Sequence, residues 1–591
     1  MGSGASALEK TKALGNQHYA EGKFRLASKF YSKALHYDPD NSALLSNRSA
    51  AYLKLAQPGL ALQDALRCLA VAPSWTKTYF RLASALAELR LPKEAAYYAQ
   101  IALALSKNDA TLQALVESLQ GTADRSSTLE WGQHVRPRPV EALAGVHFAD
   151  LSCGVGHVVA VTDSGEVFVW GDNSHQQCGV DGSPSQPTIV PTLVGKQTYG
   201  VACGGAHSLV LCRSGAVYAW GANALGQCCL PSPEVSQPTL VPLQFAVKGV
   251  AAGFGHTVFV TSTGQAQTCG WNSCGQLGRG LAATKADLGL VSALQGVTQV
   301  SCGGAHTLFV CANGQLWSAG SNSCGQLGLG HDRDERMPQQ VRGLAEVALA
   351  CCGEEFSSAV TSQYDVYTFG LGNVGQLGNG GTASASSPVL VKDLGRVFKT
   401  LLLACTKAQV LAVTDSGHVY SWGLVEDLES TASVRKPTLV TALKAKDVRD
   451  IRCMRESFLI SLRHATASEC FVTGLGVERI PAGKRAIGVL HLRDRDGVFL
   501  TAPGERVSAA IVDTDGFVSK DAEAECYWES NRYELSVRAV KADHYEVYVF
   551  CNNQPLRSVA VTVGPREAMT CRGSLLVTEV AGSAENVVRG K

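Results

Sequence analysis

The sequence has no excess of charge of either sign and no long apolar run. Its 52 lysines and arginines stand against 51 aspartates and glutamates. That balance leaves no net field to hold a phosphate backbone, so nonspecific nucleic-acid binding loses its usual electrostatic source and no nucleic-acid partner is expected. No uninterrupted apolar stretch approaches the ~18 residues of a membrane span, and no apolar signal segment opens the chain. The 20 cysteines are diluted over a long chain, and they read as reduced thiols of a cytoplasmic protein rather than as a secreted disulfide scaffold. Catalytic patterns are also missing. There is no phosphate-cradling Gly-Lys-Ser/Thr loop, no His-Glu-x-x-His helix and no Gly-x-Ser-x-Gly elbow. The expectation is a non-enzymatic protein that needs no cofactor.

Glycine, by contrast, is abundant: 60 in 591 residues exceeds the usual ~7% and implies many tight turns. The length is a soft prior for about three to five domains.

The first 125 residues repeat with a period of 34. Gly15, Ser49 and Ala83 align, as do Ala27, Ala61 and Ala95, then Ala34, Cys68 and Ala102, and Pro39 with Pro73. Small residues at such positions let two antiparallel helices approach closely, the prolines follow each second helix, and each unit buries its apolar face only against its neighbour. "NDATLQALVESLQ" from Asn108 supplies a capping helix. The segment resembles the tetratricopeptide family, whose first helices line a concave groove.

One stretch of that groove, "SWTKTYFRLASAL" at 74–86, poses a problem. Trp75, Tyr79, Leu82 and Leu86 make one apolar stripe, while Lys77 and Arg81 lie four apart on another face with no acid within one turn. Like charges at that spacing cost an isolated helix roughly 0.2–0.5 kcal/mol. With Lys12, Asn16 and Asn47 they match, position by position, the two-carboxylate clamp of those tetratricopeptide domains that hold the Glu-Glu-Val-Asp tail of heat-shock chaperones. By that resemblance the five residues grip the terminal α-carboxylate and the last aspartate side chain. Cations and amides converging on one groove offer only donors, which suits a doubly negative chain end.

From Glu130 to about Arg463 a second repeat runs with a period near 50. Its marks are Cys153-Gly154/His157, Cys203-Gly204/His207, Gly253/His256, Cys302-Gly303/His306 and Cys352-Gly353/Phe356. Each is followed by a residue before glycine, as in Trp170-Gly171 or Trp422-Gly423, often extended to "NSCGQLG" as at Asn272 and Asn322. Runs such as "EVFVWG" alternate with the period of a strand. Six units are complete. Residues 448–462 look like the head of a unit and 129–143 like a tail, so the two together would close a ring. The segment, 128–466, resembles the seven-bladed propeller of the regulator of chromosome condensation family. No metal site is expected, because one Cys and one His per blade lie far apart around a ring, whereas zinc needs four ligands at one point. Small buried cysteines and hydrogen-bonded histidines are the expectation instead.

Residues 467–567 change character again, with "AIGVLHL", "RVSAAIVD", "YELSVRAV" and "HYEVYVF" separated by turns. This spacing suits an all-β sandwich. With "CFVTGLGVERIPAG" at its start the segment resembles a filamin-type immunoglobulin repeat, a family that takes up partner strands on an exposed sheet edge. Residues 568–591 are either the beginning of a second such repeat or a tail. The opening "MGSGAS" fits the N-myristoylation pattern with Gly2 as acceptor, the alternative being a flexible terminus of small residues. One acyl chain alone gives marginal membrane binding, so at most a partly membrane-associated protein follows.

The expected architecture is thus a helical solenoid, a seven-bladed propeller and an immunoglobulin-like sandwich. The expected function is a scaffold whose solenoid binds a chaperone tail while propeller and sandwich hold another protein. Two alternatives attach to the propeller. Its family's founding member is an exchange factor for a small nuclear GTPase, although the basic extension and wedge-like insertion that member uses are not visible here. A substrate adaptor of a ubiquitin ligase is the other.

Overall fold

The computed structural model describes residues 2–564 apart from masked segments, the longest of them 120–127, 463–470 and 492–506. The chain divides into two units, one formed by residues 1–123 together with 464–591, the other by 124–463.

Seven helices make the solenoid: α1 (Gly2–Ala20), α2 (Phe24–Tyr37), α3 (Ser42–Lys54), α4 (Pro58–Val71), α5 (Thr76–Glu88), α6 (Pro92–Leu105) and α7 (Ala110–Ser118). The 34-residue pattern is a packing pattern. Ala27, Ala34, Ala61, Ala83, Ala95 and Ala102 have no exposed surface, and a Cβ on Gly15 would stand 2.6 Å from the Tyr31 ring. Ser49, also buried, donates its hydroxyl to the Ala61 carbonyl at 2.9 Å. Pro58 and Pro92 open α4 and α6, where a missing N–H costs nothing. The Asp109 carboxylate caps α7 by accepting from the Thr111 and Leu112 amides.

In the second unit six four-stranded sheets are built from consecutive strands, the first opening with Phe148–Cys153 and the sixth ending with Thr431–Leu439. The expected seven-bladed propeller is corrected to six blades. A further four-stranded sheet is composite: Thr128–Trp131 pairs antiparallel with Phe458–Leu462, placing Thr128 opposite Ser461 and Trp131 opposite Phe458, so both ends of the unit share one sheet. Such pairing satisfies edges that would otherwise be open to other chains.

The recurring motifs have local causes. A Cβ on Gly303 would lie 2.2 Å from the His306 ring and 2.7 Å from the Gly353 carbonyl of the next blade; only glycine fits between them. Gly320 adopts φ +113°, a conformation that side chains rarely tolerate. In "NSCGQLG", the Asn322 carbonyl accepts from the Leu327 amide at 2.9 Å while its amide donates to the His331 and Arg333 carbonyls, and Leu327 is fully buried.

The histidines join neighbouring blades. His256 Nε2 lies 3.0 Å from Thr307 Oγ1, which itself donates to the Gln276 carbonyl at 2.8 Å. The threonine proton is thereby committed, so Nε2 must be the imidazole donor and Nδ1 the bare nitrogen. His157, His207 and His306 repeat the arrangement with Ser208, Thr257 and Ser357, and all four Nδ1 atoms are buried without a partner among the described residues.

Among the described residues the thiols depart from expectation at one place. Cys229, at φ +55° in the turn following Val217–Ala222, meets Cys269 of the next blade and forms a disulfide with a Cα–Cα separation of 6.5 Å. The turn carries the residue across the blade boundary, which a sequence separation of 40 does not reveal.

The C-terminal strands form two sheets. One runs Phe471–Thr473, Arg485–His491, Arg532–Ala539, Ala522–Glu529; the other runs Ile480–Pro481, Val559–Gly564, His544–Cys551, Val507–Asp513. Leu535 and Val537 of the first and Val547 and Val549 of the second are fully buried. Residues 568–591 lie outside the described residues.

Candidate functional site

The 34-residue repeat places Lys12 and Asn16 on α1, Asn47 on α3, and Lys77 and Arg81 on α5, the first helix of each pair. Three of the five are tied together. Asn47 Nδ2 donates to Asn16 Oδ1 at 3.2 Å, and Arg81 Nε donates to the carbonyl of Ser46, next to Asn47, at 3.2 Å. With Nε anchored, the terminal guanidinium nitrogens of Arg81 are the ones left to meet a ligand. Its guanidinium also lies 5.3 Å from the centre of the Phe80 ring, an arrangement that holds its plane. Burial lowers its pKa from 12.5, yet a guanidinium stays charged in proteins.

The lysines are positioned more loosely. Lys77 is exposed and its Nζ is 5.8 Å from the Trp75 ring centre. Among the described residues no carboxylate forms an ion pair with Lys77 or Arg81. Lys12 is different: its Nζ is 3.5 Å from Glu9, in an exposed i,i+3 pair. Such a pair contributes little, so a ligand carboxylate competes for Lys12 at small cost.

Tyr31 is the residue that sequence reasoning missed. Its hydroxyl donates to Asn16 Oδ1 at 3.0 Å, so that oxygen holds two donors, Tyr31 and Asn47. The Asn16 carbonyl is occupied by the protein, and its NH₂ is the group left to donate elsewhere. Burial pushes the Tyr31 pKa up to about 12, which keeps the hydroxyl a donor. The signal was present: the same repeat position holds Ala65 and Ala99, so Tyr31 is the one residue there that brings a hydroxyl.

Elsewhere the chemistry is sparse. A channel of about 150 Å³ is lined by the Cys-Gly turns, among them Cys203-Gly204, Cys302-Gly303 and Cys352-Gly353. Burial pushes the Cys203 and Cys302 thiols up to about 12, so neither is a ready nucleophile. Among the described residues no three His, Cys, Asp or Glu side chains gather as a metal site, and no helix is long and apolar enough to cross a membrane. Gly2 is the first residue of α1.

Residues 119–460 match the family model described as RCC1-like domain. Human Tetratricopeptide repeat protein 28 is 40% identical over 112 residues, covering 19% of this chain and 4% of that protein; the chain thus spans a small fraction of that relative. The solved structure of human WBSCR16 has 21% identity and a TM-score of 0.51, covering 57% of this chain and all of that one. Prp20p from Saccharomyces cerevisiae, whose structure was described with its binding to Gsp1p and histones, has 21% identity and a TM-score of 0.51 over 57% of this chain and 92% of its own. At these identities the structural likeness concerns the fold.

Proposed function

Since the chain belongs to the RCC1-like domain family and carries a tetratricopeptide region before that domain, we propose that it is a non-enzymatic cytoplasmic scaffold. Its solenoid groove binds the carboxylates of a heat-shock chaperone tail ending in Glu-Glu-Val-Asp, and its propeller holds a second protein. In this reading the C-terminal sheets are an immunoglobulin-like sandwich of filamin type.

One observation carries the clamp: Lys77 and Arg81 have no acidic partner among the described residues, and beside them Asn16 is held so that it presents donors. An acceptor with two negative charges satisfies all of these groups, each charge-assisted bond contributing ~1.5–3 kcal/mol. A peptide ending in Glu-Glu-Val-Asp should bind the full-length chain with the micromolar affinity of ~8 kcal/mol, more weakly as salt rises. The same peptide amidated at its end should bind at least tenfold more weakly in titration calorimetry. Equal binding of the two would remove the carboxylate clamp and the chaperone with it.

A further inference from the structure

Among the described residues, the first halves of α4 and α6 make hydrogen bonds to the C-terminal sheets. Gln57 donates its side-chain amide to the Asp515 carbonyl at 2.8 Å, and the Gly59 amide donates to the Gly516 carbonyl at 3.1 Å. Gln63 Nε2 donates to the Tyr548 hydroxyl at 2.9 Å, and Ser508 donates to the Glu94 carboxylate at 2.6 Å. Between these bonds there is no slack. A Cβ on Gly59 would lie 2.9 Å from Val512 Cγ2, and one on Gly516 would lie 2.5 Å from Leu60 Cγ. Glu94 is 2% exposed and Val512 1%; a carboxylate this deeply covered is costly to bury without partners, and the Ser508 hydroxyl supplies one.

The strand these helices meet, Val507–Asp513, stands last in its sheet. Ser508, Ala510 and Val512 alternate onto one side of this strand, and Tyr548, opposite Ala510, lies on the same side, so what the helices meet is a face of the sheet together with the turn at 515–516. We infer that the first halves of α4 and α6 are the docking surface for this sheet face, so that the two ends of the chain form one module and the propeller is an insertion within it. An insertion requires its own ends to lie close together, and the pairing of Thr128 with Ser461 supplies that. The groove residues sit on α1, α3 and α5, so the docking leaves them in place; the inference does not depend on the clamp.

Hydrogen exchange on the full-length chain tests this in both directions. Leu60→Glu, on the solenoid side, should speed exchange of amides in 507–517 at least tenfold. The paired change Ser508→Ala with Tyr548→Phe, on the sandwich side, should speed exchange in 57–63 and 92–96. Neither should alter exchange in the propeller strands between 148 and 439. If each variant changes exchange only within its own element, or not at all, the ends are separate domains and the inference falls.

Discussion

At the residue scale the groove is decided by which atoms are already occupied. Asn16 would be an ambiguous amide if nothing held it, since its oxygen and nitrogen could exchange places. Tyr31 and Asn47 both donate to its oxygen, which fixes the nitrogen as the other end of the amide. Tyr31→Phe removes one of these donors and changes no charge. It should weaken binding of the free-acid Glu-Glu-Val-Asp peptide by roughly 3–10-fold, from a hydrogen bond of about 0.5–1.5 kcal/mol. The salt dependence of binding and the helical circular dichroism should not change. Wild-type affinity in this variant would show that Asn16 is oriented without Tyr31, while leaving the amidation test of the clamp untouched.

At the scale of the element, the histidine links between blades make the propeller sensitive to acid. Burial lowers His157 and His306 from 6.5 to about 4, and His207 and His256 to about 3. Protonation would place a proton on a buried Nδ1 that has no acceptor. The unfolded chain binds these protons near pH 6.5, whereas the folded chain resists them down to about 4 at His157 and His306 and about 3 at His207 and His256. Their contribution is therefore intact above 6.5 and lost as pH falls from 6.5 towards 4, at up to about 1.4 kcal/mol per pH unit for each histidine. The denaturation midpoint, followed by near-ultraviolet circular dichroism, should drop steeply between pH 7 and pH 5. The sixth blade places Gln409 opposite Gly423 where the fourth places His306 opposite Gly320. His306→Gln should accordingly fold and show a shallower pH dependence; an unchanged slope would mean that His306 does not titrate with unfolding.

At the scale of the whole molecule, the proposed scaffold and the exchange-factor alternative make opposite predictions for a small GTPase. The full-length protein should leave GDP release from a small nuclear GTPase at its spontaneous rate, measured with a fluorescent nucleotide. Acceleration at substoichiometric protein would overturn the scaffold reading. The two ends of the chain belong to one unit and the propeller to another, an order of assembly that differs from the linear order of the repeats.

What the sequence determined by itself is whatever repeats. The alanines spaced by 34 residues become buried helix contacts because close packing of helix pairs requires small side chains at fixed intervals. The Cys-Gly…His and "NSCGQLG" marks become turns because glycine and asparagine meet backbone demands that recur in every blade. Even the pairing of Thr128–Trp131 with Phe458–Leu462 was legible, since a unit missing its tail and a tail missing its unit complete each other. Tertiary structure decided what occurs once. Tyr31 reaches Asn16 only when α2 packs on α1. Cys229 reaches Cys269 only when one blade lies beside the next. Glu94 meets Ser508 across 414 residues of chain, a distance over which no local periodicity carries information and only the burial of both surfaces chooses the partner.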